Sequence, residues 1–176
     1  CVGRLEWEKG IDRLIDIWLS VHNTHPDWVL DIYGQGMLQD ELQQKILAAN
    51  AGTYIHLKGS SPDIMYEYLN CSLLVLTSRY EGFPMALLEA MACGVPCVTY
   101  DCPFGPRSMI TNMRNGILVE EGDKKEMVDK INYLIENEKN RKKIGTNARK
   151  YVLQYSQKNI MDKWNILFNN CLTLTS

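Results

Sequence analysis

Leu73, Leu74, Val75 and Leu76 are apolar at four successive positions. A strand with one wet face would alternate apolar and polar residues. An unbroken apolar run predicts a strand covered on both faces, as in a parallel sheet. A loop holding Glu81, Gly82 and Pro84 follows, then helix-forming residues from Met85 to Cys93, closed by Gly94. A glycine just past the last turn is a common helix stop, because it takes the left-handed conformation at no steric cost. Strand, loop and helix therefore form the unit from which the chain is built, and the unit recurs.

Ile11, Leu14, Ile15, Trp18 and Leu19 keep helical spacing and predict an amphipathic helix over about 9–25, closed by Pro26 and Asp27. A strand is expected at 28–33, ended by Gly34-Gln35-Gly36, then a polar helix at 37–51. Residues 54–57 read as a strand and 64–70 as a short helix. After the Leu73 run, strands are expected at 95–100 and 117–119, with Asn115-Gly116 turning into the last. From Asp123 the pattern is helical, with one stripe at Met127, Val128, Ile131 and Leu134. A second stripe joins Ile160, Met161, Trp164, Leu167, Phe168 and Cys171. Strands alternating with helices at this spacing imply an α/β, doubly wound parallel sheet of about six strands with a helical tail. The charged run from Lys139 to Lys150 reads as a solvated helix face. The whole chain, 1–176, reads as one domain. Its opening Cys1-Val2-Gly3-Arg4 looks like the tail of a strand already in progress, so the chain is expected to be a fragment.

A net charge of -2 offers no basic field for nucleic acid. No apolar run approaches the roughly 18 residues of a membrane span. The six cysteines include neighbours at 93, 97 and 102, but these fall on a helix, a strand and a loop, without a Cys-x-x-Cys pair. Reduced structural thiols are the expectation, with no metal site. His22, His25 and His56 show no relation to a nucleophile or to one another as ligands, so structural roles are expected. Neither an Asp-x-Asp motif nor a Walker phosphate loop occurs, and Gln39 stands where a dinucleotide fingerprint needs its third glycine. Gly34-Gln35-Gly36 is then a tight strand-to-helix turn.

Two places carry chemistry. Gly3-Arg4-Leu5-Glu6-Trp7-Glu8-Lys9-Gly10 puts two cations before a helix N-terminus. Such a loop suits a diphosphate, since arginine grips phosphate with paired donors and lysine supplies a point charge. It equally suits a solvated loop in which Glu6 and Glu8 neutralise the cations. The second place holds Glu81 and Glu89, seven residues between them, beyond the carboxyl end of a strand. They could serve as an acid/base pair, accept hydrogen bonds from sugar hydroxyls, or be simply a capping acid and a surface helix acid. Gly82 and Pro84 keep side chains away from the backbone there, leaving amides free to face a ligand.

Taken in order, Gly-Arg-Leu…Glu-Lys-Gly at 3–10, Tyr-Gly-Gln-Gly at 33–36, Ser-Arg-Tyr-Glu-Gly-Phe-Pro…Glu-Ala-Met-Ala-Cys-Gly-Val-Pro at 78–96 and Asn-Gly-Ile-Leu-Val at 115–119 resemble glycosyltransferase family 4. The resemblance is to the C-terminal, donor-binding half of these retaining GT-B enzymes, and it covers nearly the whole chain. It implies a Rossmann-like fold and a nucleotide-diphosphate-sugar donor, here expected to be a UDP-sugar. It implies no metal or other cofactor. Arg4 and Lys9 match the diphosphate-binding pair, and Glu81 the glutamate that contacts the donor sugar. Gly82, Phe83, Pro84, Met85 and Ala86 would add contacts to sugar and phosphate, and Glu89 would hold the ribose. The base is expected near Gly59, Ser60 and Ser61. Arg4, Lys9 and Glu81 are accordingly the expected catalytic residues, the cations stabilising charge on the leaving diphosphate. The loop Cys102-Pro103-Phe104-Gly105-Pro106-Arg107-Ser108 departs from the family, with Ser108 near the usual place of an acid. The acceptor, a carbohydrate or lipid-linked sugar, would be bound by an N-terminal domain outside this chain, so the fragment is expected to be inactive alone. A cytoplasmic setting, at the inner face of the membrane for a lipid-linked acceptor, goes with polysaccharide or glycoconjugate synthesis. The alternatives are a nucleotide-sugar 2-epimerase of the same fold, or a non-catalytic nucleotide-binding or interaction module.

Overall fold

The computed structural model describes residues 1–173, with side chains through Asn170. Five strands, β1 (Leu30–Tyr33), β2 (Ile55–Gly59), β3 (Leu74–Leu76), β4 (Cys97–Tyr100) and β5 (Ile117–Val119), alternate with helices. The helices are α1 (Ile11–Thr24), α2 (Gln39–Ala48), α3 (Ile64–Asn70) and α4 (Met85–Ala92), then α5 (Lys124–Glu136), α6 (Glu138–Val152) and α7 (Gln157–Thr173) after β5. Every ladder is parallel: β1 pairs with β2, and β3, β4 and β5 lie side by side in that order. The sixth expected strand is marked by Val2, which bridges Tyr33 in parallel. Tyr33 N–H donates to the Cys1 carbonyl at 2.9 Å, and Gly3 N–H to the Tyr33 carbonyl at 3.0 Å.

The apolar run is sorted by the pleat. Successive side chains of a strand point to opposite faces, so Val75 joins one core while Leu74 and Leu76 join the other. Val98 and Tyr100 of β4 face the first core and Cys97 the second, while Ile117 and Val119 of β5 face the first. The first core is closed by Leu14, Ile15 and Trp18 of α1, Leu42 and Ile46 of α2, and Met127, Ile131 and Leu134 of α5. The second is closed by Tyr68 of α3, Leu87, Ala90 and Met91 of α4, and Ala148 and Val152 of α6. This is the doubly wound arrangement, with ligand-facing loops along the carboxyl edge of the strands.

Local chemistry explains the boundaries. α1 begins at Ile11 rather than Lys9, because Trp7–Lys9 forms a separate 3-10 turn that ends at Gly10 with φ 62°. Gly94 closes α4 at φ 76°, as expected. α6 crosses this end so closely that a Cβ on Gly145 would lie 2.0 Å from the Gly94 carbonyl oxygen. The charged run on α6 is largely exposed, but Arg141 turns inward, donating to the Leu134 and Ile135 carbonyls and lying 5.3 Å over Trp28. On α7, Met161, Trp164, Leu167 and Phe168 are exposed. Cys171 of that stripe lies outside the described side chains. Cys1, Cys71, Cys93, Cys97 and Cys102 are free thiols, and burial pushes that of Cys102 up to about 11. His22 stacks on Tyr54 at 3.4 Å, and His56 shares a 2.7 Å hydrogen bond with Asp31. Among the described residues no helix is long and apolar enough to cross a membrane.

Candidate functional site

Two adjoining places along the carboxyl edge hold most of the expected residues. The first is a side-chain clasp. Thr77 to Pro84 leave β3 and run to the start of α4, bringing Glu81 to the Trp7–Lys9 turn. The Lys9 ammonium donates to both carboxylate oxygens of Glu81, at 2.7 and 2.8 Å, across a sequence separation of 72. The Ser78 hydroxyl donates to Oε1 at 2.7 Å. Glu81 is only 6% exposed, so these partners satisfy an otherwise costly buried charge. Capacity remains. An ammonium has three protons and each carboxylate oxygen accepts twice. Lys9 therefore keeps one donor, and Glu81 keeps an acceptor position on Oε2. A ligand with a phosphate and a hydroxyl can engage both without breaking the pair.

Neighbouring contacts fix the clasp. The Lys9 stem passes over Gly3, whose Cβ position would lie 3.5 Å from Lys9 Cδ. The Thr77 hydroxyl donates to the Gly10 carbonyl at 2.8 Å, and a Cβ on Gly10 would meet the Thr77 carbonyl oxygen at 2.2 Å. Arg79 donates to the Trp7 carbonyl at 2.7 Å and to both carboxylate oxygens of Asp12 at 2.8 and 2.6 Å. Partial burial opposes ionisation of Asp12, but the Arg79 hydrogen bonds and charge win and hold its carboxyl below the usual range. The 101–108 loop reaches the same place: a Cβ on Gly105 would lie 2.7 Å from Glu81 Cβ and 3.3 Å from Pro84. Within that loop the Ser108 hydroxyl donates to the Gly105 carbonyl at 2.7 Å.

The second place is an open cleft of about 270 Å³ lined by Val2, Gly3, Arg4, Tyr33, Gly34, Gln35, Ser60, Ser61 and Ile64. Backbone shapes it. Leu5 N–H donates to the Gln35 carbonyl at 2.9 Å, and Gly34 N–H to the Gly59 carbonyl at 2.8 Å. A Cβ on Gly34, at φ 146°, would lie 1.8 Å from the Gly3 carbonyl oxygen. Close backbone approach is thus why the turn is glycine-rich. The Arg4 side chain is 70% exposed, with Glu8 at 4.0 Å. Glu6 instead accepts from Met37 N–H at 3.1 Å. Neutralisation of both cations by Glu6 and Glu8 is therefore not what forms. Ser61 donates to Glu67 at 3.2 Å, and Tyr33 donates to the same carboxylate at 2.7 Å.

The remaining expected residues lie in the loop before α4 and in that helix. Gly82, Phe83 and Met85 are exposed and Pro84 is buried, with Leu87 and Leu88 N–H groups donating to the Pro84 carbonyl. Ala86 is half-buried and packs on the second core. Glu89 accepts from the Tyr68 hydroxyl at 3.1 Å. Burial, then the Glu89 charge, raises the Tyr68 phenol well above its ordinary range. The structure thus joins Lys9 to Glu81 and Arg4 to Ser60 and Ser61, and gives Glu89 a partner on α3. Sequence reasoning missed Ser78, Arg79, Asp12, Glu67 and Tyr68. Ser78 and Arg79 lay inside the quoted motif, but no spacing tied Arg79 to an aspartate separated by 67.

Residues 1–151 match the family described as Glycosyl transferases group 1. The amylovoran biosynthesis glycosyltransferase AmsD of Erwinia amylovora is 33% identical over 168 residues, which is 96% of this chain and 47% of that protein. The chain thus spans about half the length of this relative. A mutant of S. aureus TarM, solved in complex with fondaparinux, alpha-GlcNAc-glycerol and UDP, superposes with a TM-score of 0.91 at 32% identity, covering 96% of this chain and 34% of that one. The C-terminal domain of a group 1 family protein (LpcC) from Francisella tularensis superposes with a TM-score of 0.77 at 27% identity, covering 87% of this chain and 83% of that one.

Proposed function

Because this chain belongs to the glycosyl transferases group 1 family, we propose that it is the donor-binding half of a retaining, family 4 type glycosyltransferase. Its fold is the α/β, Rossmann-like GT-B type. The donor is a nucleotide-diphosphate-sugar, and UDP is favoured because the TarM structure was solved with UDP. The acceptor hydroxyl belongs to a growing polysaccharide or glycoconjugate, in keeping with the relative named for amylovoran biosynthesis.

One observation carries the reading: the Lys9–Glu81 pair leaves a phosphate donor and a hydroxyl acceptor unused at one point on the carboxyl edge. Lys9 and Arg4 take the diphosphate, Glu81 the sugar hydroxyls, and Glu89 the ribose. The cleft lined by Ser60 and Ser61, beside Gly59, takes the base. As the bond from the anomeric carbon to the diphosphate breaks, negative charge grows on the leaving phosphate, and the two cations stabilise it. The acceptor hydroxyl attacks from the same face and gives its proton to the departing diphosphate, so configuration is kept. No protein nucleophile or metal is required.

Calorimetric titration of the chain with UDP, GDP and ADP tests the reading. Binding selective for one nucleotide and weakened in Glu89→Ala is expected. No heat with any of the three would overturn it, as would sugar transfer by the chain alone overturn its role as a half-enzyme.

A further inference from the structure

The Trp7–Lys9 turn has no buried residue, so hydrogen bonds rather than packing must hold it. Two of those bonds come from Arg79, a side chain the donor-site reading leaves without a role. Its guanidinium reaches the Trp7 carbonyl at 2.7 Å and grips Asp12, the second residue of α1, with two prongs at 2.8 and 2.6 Å. Its Cζ lies 4.8 Å from the Trp7 ring centroid. Its own backbone N–H donates to the Glu8 carbonyl at 2.8 Å. Arg79 thus contacts the residue before Lys9, the one before that, and the helix that follows, while standing two residues from Glu81.

We infer that Arg79 is a positioning residue for the donor diphosphate: it locks the turn carrying Lys9 to the loop carrying Glu81, and so sets where the Lys9 ammonium stands. It acts through Lys9, since its side chain is 13% exposed and three of its five N–H donors are spent on the turn and on α1. A planar fork is needed. An ammonium can reach two carboxylate oxygens, as Lys9 does with Glu81, but it lacks the fork that binds Asp12 from two nitrogens while also reaching the Trp7 carbonyl. The Thr77 hydroxyl ties down the far end of the turn at Gly10, leaving the Trp7–Lys9 end to Arg79. The inference rests on Lys9 being a diphosphate ligand.

The test is a double-mutant cycle with UDP as probe, together with the ammonium resonance of Lys9 in isotope-labelled, ligand-free protein. Arg79→Gln should weaken UDP binding about fivefold in the wild-type background and less than about twofold in Lys9→Ala, because coupled residues are not additive. Arg79→Lys should fail to rescue. Asp12→Asn, which leaves Arg79 in place, should weaken UDP binding in the same direction by less. In the free protein Arg79→Gln should broaden or shift the Lys9 ammonium signal, which Glu81 otherwise protects. Equal losses in both backgrounds, full rescue by lysine, or an unchanged ammonium signal would overturn the inference. Absence of UDP binding in the wild type would defeat the donor-site reading instead, and the ammonium signal would still decide the role of Arg79.

Discussion

The clasp lies beyond the carboxyl end of β3 and the cleft beyond those of β1 and β2, and they are built from different material. The clasp is side chains: Lys9, Glu81, Ser78, Arg79 and Asp12 pair with one another. The cleft is backbone: Gly34 packs against the Gly3 carbonyl and donates to the Gly59 carbonyl, and its cation, Arg4, stands in water. Side-chain pairs are preorganised, and the Lys9–Glu81 pair keeps one donor and one acceptor for a ligand. Open backbone surfaces are adaptable but intolerant of added atoms. A nucleotide sugar laid across these strand ends would meet the rigid charges at its sugar and phosphates and the shaped backbone at its base.

That contrast can be broken most violently at Gly34. Gly34→Ala forces a Cβ to within 1.8 Å of the Gly3 carbonyl oxygen at a φ of 146°. It should lower unfolding free energy by about 3 kcal/mol or more, read from denaturant melts. Less than about 1 kcal/mol would mean the cleft backbone is not fixed. Lys9→Ala attacks the clasp instead. It strands the Glu81 carboxylate, 6% exposed, with Ser78 as its remaining partner, and should cost about 2 kcal/mol. Adding Glu81→Gln should recover part of that loss. If the double variant is as unstable as the sum of the singles, the pair is not coupled.

Acid sharpens the comparison. Against its partial burial, Asp12 has its carboxyl held below the ordinary aspartate range in the folded chain by Arg79. A depressed carboxylate contributes stability above its unfolded pKa and loses it as pH falls through the folded one. Below about pH 4 the wild type should therefore lose stability more steeply than Asp12→Asn, and parallel acid melts would refute this. Smallest of all is Arg4→Ala. With a side chain 70% exposed, it should change stability by less than about 0.5 kcal/mol. Its effect on UDP affinity should fade as salt rises, since exposed charges are screened. A salt-independent loss would place Arg4 in a drier setting than the cleft provides.

Much of this was legible in the residues. The unbroken run at 73–76 implied a two-faced strand, and Val75 does part company with Leu74 and Leu76. Gly94 stops α4 where a helix stop was expected. The start of α1 was misplaced by two residues, because Lys9 fits the helical pattern while Gly10 at positive φ ends a separate turn before it. Arg79 could be seen but not interpreted, since its partner Asp12 is a surface acid by every local criterion.

The sequence by itself determined the order of strands and helices, the placing of loops at the carboxyl edge, and the identity of the charged residues there. Those follow from periodicity, turn chemistry and composition, which are local. Only the tertiary structure decided who pairs with whom: Lys9 with Glu81 rather than with Glu6 or Glu8, and Glu89 with Tyr68. It also decided that Gly34 is glycine because another backbone passes against it. The physical reason is that a buried charge takes whichever partner the packed strands bring within reach, and residues separated by 72 in sequence become neighbours only when the sheet forms.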